Sequence, residues 1–167
     1  MGLANIALGR VELRPDVQLR AGSFAPDFQL SASDGRQYKL SDFRGRQAVV
    51  IAWFPRAFTP GCTAECRSLG TNATALRALN AQCFAASVDS PDTNAEFARS
   101  LQLPVPILSD ETGETARAYG VLSRSGFPLR WTFYIGVDGR ILAVDRQVRA
   151  STHGSDVAAR LRELGIS

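Results

Sequence analysis

"AVVIAWFPRAFTPGCTAEC", residues 48–66, decides how this chain is read. Ala48 to Phe54 is an apolar run of β-branched and aromatic residues with no polar interruption, the composition of a central strand buried on both faces. Pro55 ends the run, because proline has no amide hydrogen to give to a sheet ladder. From Gly61 the period changes. Cys62, Cys66, Leu69, Ala73 and Leu76 recur at steps of four and three, one face of a helix that Gly70 is expected to weaken or bend. The carboxyl end of such a strand is where open α/β sheets place their sites.

Working outward, "FAPDFQLSASDGRQYKLSDF" carries alternating apolar residues, and Asp34-Gly35 signals a tight hairpin turn. "LSDFRG" reads as a short helical turn closed by Gly45. "CFAASV", residues 83–88, is a second buried strand, followed by a helix with Ser90 or Asp92 as its cap and Phe97 and Leu101 on its apolar face. "VPIL" is a short strand and "ETGETARAYGVL" a short helix ended by Gly120. "RWTFYIGVDGRILAVDR" is a hairpin about Asp138-Gly139, and "GSDVAARLRELGI" an amphipathic helix with Val157, Leu161 and Leu164 on one side. Alternating strands and helices imply an α/β protein with a central mixed sheet, helices on both faces and an N-terminal hairpin. Residues 1–20 read as an extension and 21–167 as one domain.

The chain has 167 residues, a formal net charge of +3 and 45% hydrophobic residues, the profile of an ordinary globular domain. Its arginines are scattered singly, without a basic stripe or interleaved aromatics, which argues against nucleic-acid binding. No apolar run is long enough to span a membrane, and Arg10, Glu12, Arg14 and Asp16 break the one N-terminal apolar patch, so a cytoplasmic protein is expected. Three cysteines are too few, and an odd number, for a secreted disulfide scaffold.

Cys62 therefore invites a chemical reading. In a first helical turn its sulfur faces unpaired backbone N–H groups and the positive end of the helix dipole, both of which favour thiolate. A thiol at its reference pKa is only about 3% ionised at pH 7, and raising that to roughly 90% takes about 3.4 kcal/mol of preferential stabilisation. A helix end supplies roughly 0.3–1 kcal/mol, or about 2 when partly buried, so a cation is also required. Thr59 has a hydroxyl within reach of the sulfur or of a bound oxygen. The competing reading makes Thr59 an N-cap, Pro60 the first helical residue and Cys62 a small buried side chain. Cys83 reads as core packing, and His153, the single histidine, as an exposed loop residue.

"PRAFTPGC" has the form Pro-x-x-x-Thr-x-x-Cys and resembles the active-site loop of the peroxiredoxins; "TPGCTAE" is similar to their bacterioferritin-comigratory, or Q-type, branch. "APDFQL", "SVDSPDTNAEFA", "ILSDETGETARAYGV" and "RWTFYIGVDGRI" resemble family segments in the same order. The resemblance implies a thioredoxin-like fold and a peroxidase of hydrogen peroxide and organic hydroperoxides that needs no cofactor or metal. Cys62 matches the peroxidatic cysteine, Thr59 the hydrogen-bonding threonine, Pro55 the shielding proline and Arg130 the supporting arginine. Glu65 matches a glutamate that would orient an arginine or water. Cys66 is the candidate resolving cysteine, although the Q-type branch commonly spaces its pair by one residue more. At i, i+4 the Cβ atoms of an intact helix lie roughly 5–6 Å apart, and a disulfide needs about 3.5–4.5 Å, so the first turn would have to open. Thioredoxin or a similar thiol is the implied reductant, and the protein is expected as a monomer or homodimer. The alternatives are a Cys-x-x-x-Cys copper-delivery protein of the Sco type and a plain disulfide reductase.

Overall fold

The computed structural model describes residues 19–167, so nearly all of the expected extension lies outside the described residues. Its elements follow the chain as β1 (Gln29–Ala32), β2 (Gln37–Lys39), β3 (Ala48–Trp53), α1 (Pro60–Thr71), α2 (Ala73–Arg77), β4 (Ala81–Ser87), α3 (Pro91–Leu101), β5 (Ile107–Ser109), α4 (Glu114–Ala118), β6 (Thr132–Ile135), β7 (Ile141–Asp145) and α5 (His153–Glu163). The seven strands form one sheet in the order β2-β1-β5-β4-β3-β6-β7. β5, β4 and β3 are parallel, and antiparallel pairs flank them on both sides. This is the mixed sheet expected from the alternation of strands and helices.

β3 lies near the middle and every one of its residues is buried. Its side chains alternate between two cores, as a period of two demands. Val50 and Ala52, followed by Phe54, pack with Cys62, Cys66 and Leu69 of α1, Phe97 of α3 and Val157 and Leu161 of α5. Val49, Ile51 and Trp53 face Phe28, Leu40, Tyr119 and Phe133 on the other side.

The helical stripe from Cys62 to Leu76 is buried along its length, but it belongs to two helices. The break falls at Asn72, with φ −99° and ψ 11°, and not at Gly70. Asn72 turns its side-chain amide back to the Ser68 carbonyl at 2.8 Å, which ends the regular ladder there. Gly70 makes room instead: a Cβ would lie 2.9 Å from Leu103 Cδ1. Neither Asp-Gly pair forms the two-residue turn its sequence suggests. Only the glycine of each pair, Gly35 and Gly139, takes positive φ, whereas that turn needs positive φ at both central positions. Each closes through a wider loop, with Ala32 N–H donating to Arg36 O and Gly136 N–H to Arg140 O. Ser90, not Asp92, caps α3 by accepting from Thr93 N–H.

Candidate active site

The site is built where β3 runs out. Phe54 N–H still donates to Ala86 O at 2.9 Å; after it Pro55 turns the chain away from the sheet. Ala57 N–H donates to Asp89 Oδ2 at 2.8 Å, and that same oxygen accepts from the Ser87 hydroxyl at 2.9 Å. Asn94 donates to Ser87 and Ser109, so a buried polar cluster at the ends of β4 and β5 anchors the loop. Phe58 takes a left-handed φ of 68° and lays its exposed ring near Phe97, centroids 5.0 Å apart. Left-handed backbone is costly for an aromatic residue and persists only where its surroundings hold it.

Thr59 occupies the N-cap of α1 and Pro60 its first position. The Thr59 hydroxyl donates to Arg56 O at 2.8 Å, bracing the loop rather than pointing at the sulfur. Cys62, third in the helix, is 1% exposed, and its sulfur accepts two N–H groups at 3.5 Å, the Arg56 amide and Arg130 Nη2. Backbone and cation thus converge on one sulfur. Arg130 comes from the segment leading into β6. Its other terminal nitrogen, Nη1, donates to Glu65 Oε1 at 2.6 Å, so one planar fork spans carboxylate and sulfur. Gly61 leaves space for that fork: a Cβ there would stand 2.9 Å from Arg130 Nη2.

Glu65 is fully buried, and burial, opposed by Arg130, pushes its carboxyl up to about 7. Its second oxygen has no hydrogen-bond partner. Cys66 sits one turn below Cys62 with no exposure; burial, then Glu65 and Cys62, push its thiol well above the ordinary value. Burial and Glu65 push Cys83 up to about 12. All three cysteines are free thiols.

The comparisons with known proteins show the family. The family model described as AhpC/TSA matches residues 21–144. The chain belongs to the AhpC/TSA family. Peroxiredoxin Bcp of Escherichia coli is 34% identical over 152 residues, covering 87% of this chain and 97% of that protein. The crystal structure of peroxidoxin BcpB from Mycobacterium tuberculosis superposes with a TM-score of 0.79 at 30% identity, covering 87% of this chain and 98% of that one. A Xanthomonas campestris bacterioferritin comigratory protein, solved in work on its alkyl peroxide reduction, gives a TM-score of 0.75 at 26% identity, covering 81% of this chain and 90% of that one. As an AhpC/TSA protein of the Bcp and Q type, the chain has a thioredoxin-like fold and is a thiol-dependent peroxidase, with a peroxide as substrate and a thiol as reductant. The copper-delivery and disulfide-reductase readings give way to this assignment.

Among these AhpC/TSA features, several escape a reading of the sequence. His153 is not an exposed loop residue: it opens α5 and has 0% exposure, its Nε2 2.9 Å from Thr132 Oγ1. The Asp89–Ser87–Asn94–Ser109 cluster reads in sequence as a strand end followed by a helix cap. Trp131 packs under Arg146, whose guanidinium carbon lies 4.7 Å from the ring centroid. No helix among the described residues is long and apolar enough to cross a membrane.

Proposed function

We propose that Cys62 is the peroxidatic residue and that its thiolate reduces hydrogen peroxide and organic hydroperoxides. The observation that supports this reading is the sulfur held between the Arg56 amide and Arg130 Nη2 at 3.5 Å each. The thiolate attacks the terminal peroxide oxygen. A sulfur–oxygen bond forms, the oxygen–oxygen bond breaks, and the leaving alkoxide or hydroxide takes a proton from water to depart as alcohol or water. Sulfur is oxidised to sulfenic acid and the peroxide is reduced. Arg130 and the Arg56 amide stabilise charge moving onto the oxygens, and donors fixed before the reaction cost no reorganisation during it. Pro55 walls the sulfur from water, Thr59 holds the loop through Arg56 O, and Glu65 aims Arg130.

Cys66 is the proposed resolver. Its thiol attacks the sulfenic sulfur, a disulfide forms and water leaves; a dithiol donor such as thioredoxin then restores both thiols. Both sulfurs lie buried on an intact α1, so this step requires the first turns of the helix to open. Residues 21–167 act as one domain, as monomer or homodimer, in the cytoplasm; the continuous sheet supports the first of these readings.

The test is to treat the reduced protein with one equivalent of peroxide and map the products by mass spectrometry. Sulfenic acid at Cys62, or a Cys62–Cys66 disulfide, is expected, together with loss of peroxidase activity in Cys62→Ser. A Cys62→Ser protein that still consumes peroxide at the native rate overturns the reading.

A further inference from the structure

His153 has no place in the chemistry above, yet with Arg130 it is one of two basic side chains within 4.0 Å of the Glu65 carboxylate among the described residues. Its Nε2 lies 3.9 Å from Glu65 Oε2, the oxygen that Arg130 leaves free, and 2.9 Å from Thr132 Oγ1. A movement of under about one ångström brings the first of these to hydrogen-bond distance. Thr132 stands two residues after Arg130. Cys62, Arg130, Glu65, His153 and Thr132 therefore make one chain of contacts, buried except at Arg130, that returns to within two residues of where Arg130 leaves the backbone.

The tautomer follows from the atoms left unpaired. His153 Nδ1 has no partner. A buried acceptor without a partner is tolerated better than a buried N–H without one, so the proton belongs on Nε2, where Thr132 Oγ1 accepts it at 2.9 Å and Glu65 Oε2 stands 3.9 Å away. Burial pushes the ring down to about 4, so it is neutral near pH 7. A neutral imidazole donating Nε2–H favours the charged form of the carboxylate beside it. The other titratable groups around the pair are Arg130 ahead of β6, Cys62 and Cys66 on α1, Cys83 on β4, Asp145 on β7 and Asp156 on α5.

We propose that His153 is a positioning residue that acts through Glu65: its Nε2–H keeps the Glu65 carboxylate ionised, and the ionised carboxylate keeps Arg130 clamped beside Cys62. Where Glu65 takes up a proton, the ion pair at Nη1 is lost and Arg130 is free to swing from the sulfur into solvent. The inference rests on Cys62 as the reacting sulfur.

The test follows Cys62 oxidation by limiting hydrogen peroxide across pH 5.5 to 9 (about three units around the Glu65 midpoint), with acid quench and mass spectrometry. Two backgrounds are compared, the native protein and Glu65→Gln, which removes the ionisation; into them go His153→Gln, which keeps an N–H donor, and His153→Leu, which does not. His153→Gln should keep the native profile. His153→Leu should move the rising limb about one unit alkaline, costing up to about tenfold at pH 7 and recovering at high pH. In the Glu65→Gln background the same leucine substitution should shift nothing, because the group it acts through is gone. A structural role alone would lower the rate by one factor at every pH and in both backgrounds, and that outcome overturns the proposal. So does a His153→Gln profile shifted about one unit from the native one, a result that stands even where the leucine protein does not fold. Failure to find any oxidation at Cys62 in the native protein would instead remove the function itself.

Discussion

Gly61→Ala separates the chemistry of this site from its fold. The new Cβ would stand 2.9 Å from Arg130 Nη2, against an ordinary contact of about 3.5 Å. The obstacle is the far end of a flexible side chain, so the helix need not move. Arg130 is held at Nη1 by the 2.6 Å pair with Glu65, and the fork yields by pivoting about that nitrogen. Nη2 then recedes from the sulfur, from 3.5 Å to about 4.0 Å. At an effective dielectric of about 20, the attraction between unit charges falls from about 4.7 to about 4.2 kcal/mol over that distance, and solvent at the partly exposed Arg130 trims the difference further. The larger loss is the charge-assisted hydrogen bond, worth about 1.5–3 kcal/mol when fully made. A partial loss of about 1–2 kcal/mol corresponds to a rate of Cys62 oxidation about 5- to 30-fold slower. Alanine is a better helix former than glycine, so the unfolding free energy should stay within about 1 kcal/mol of native. Stopped oxidation by limiting peroxide gives the rate, and urea unfolding of the reduced protein gives the stability. A native rate in a protein of native stability would refute the claim that contact between Arg130 and the sulfur drives the reaction.

Gly154→Ala should do the reverse. Its Cβ would meet the Ser68 carbonyl oxygen at 2.2 Å, which is backbone, so α1 and α5 must part; the cost is at or above about 3 kcal/mol, a drop in Tm of roughly 6–12 °C in a calorimeter. Asp89→Ala removes the acceptor of both Ala57 N–H and the Ser87 hydroxyl; unfolding should cost about 1–3 kcal/mol less, with faster amide exchange in residues 55–59 by mass spectrometry. Cys66→Ser should leave the first oxidation of Cys62 at its native rate and stop turnover with a dithiol donor, read as accumulating sulfenic acid; normal turnover would remove Cys66 from the cycle. Stability against pH distinguishes Glu65 from His153. Glu65 is raised from 4.5 to about 7, so its contribution is present at low pH and is lost as pH climbs from 4.5 to about 7. His153 is lowered from 6.5 to about 4, so its contribution is present above 6.5 and is lost as pH falls toward 4. The two slopes oppose each other between about 4.5 and 6.5. Relative to native protein, Glu65→Gln should therefore gain stability as pH rises through that window, and His153→Gln should lose it, each by about 1 kcal/mol per pH unit in urea titrations.

The central strand and the start of α1 were legible because burial on both faces and a change of period from two to three-and-four leave marks in consecutive residues. The hairpins were legible in place but not in turn type: Asp34 and Asp138 keep negative φ, and only the register with the neighbouring strand decides that. Arg130 offers no local signal at all and was found by likeness to a family segment. His153 was misplaced for a physical reason. The amphipathic pattern of the last helix begins at Gly154, and what buries its neighbour is the docking of α5 on α1, where a missing Cβ lets two backbones approach. Ser87, Asn94 and Ser109 are polar residues of a kind usually met at surfaces, and their burial depends on satisfying one another across three elements.

The docking of α5 reaches further than packing. The family match stops at residue 144, short of that helix, and yet its leading side chain stands against the carboxylate that aims the guanidinium. If His153 acts through Glu65 as proposed, the tail of the chain is a tuning dial outside the stretch that the family model matches. On that proposal a fusion, truncation or exchange made there, far along the sequence from Pro55 to Cys62, would reach the Cys62 sulfur through its back wall.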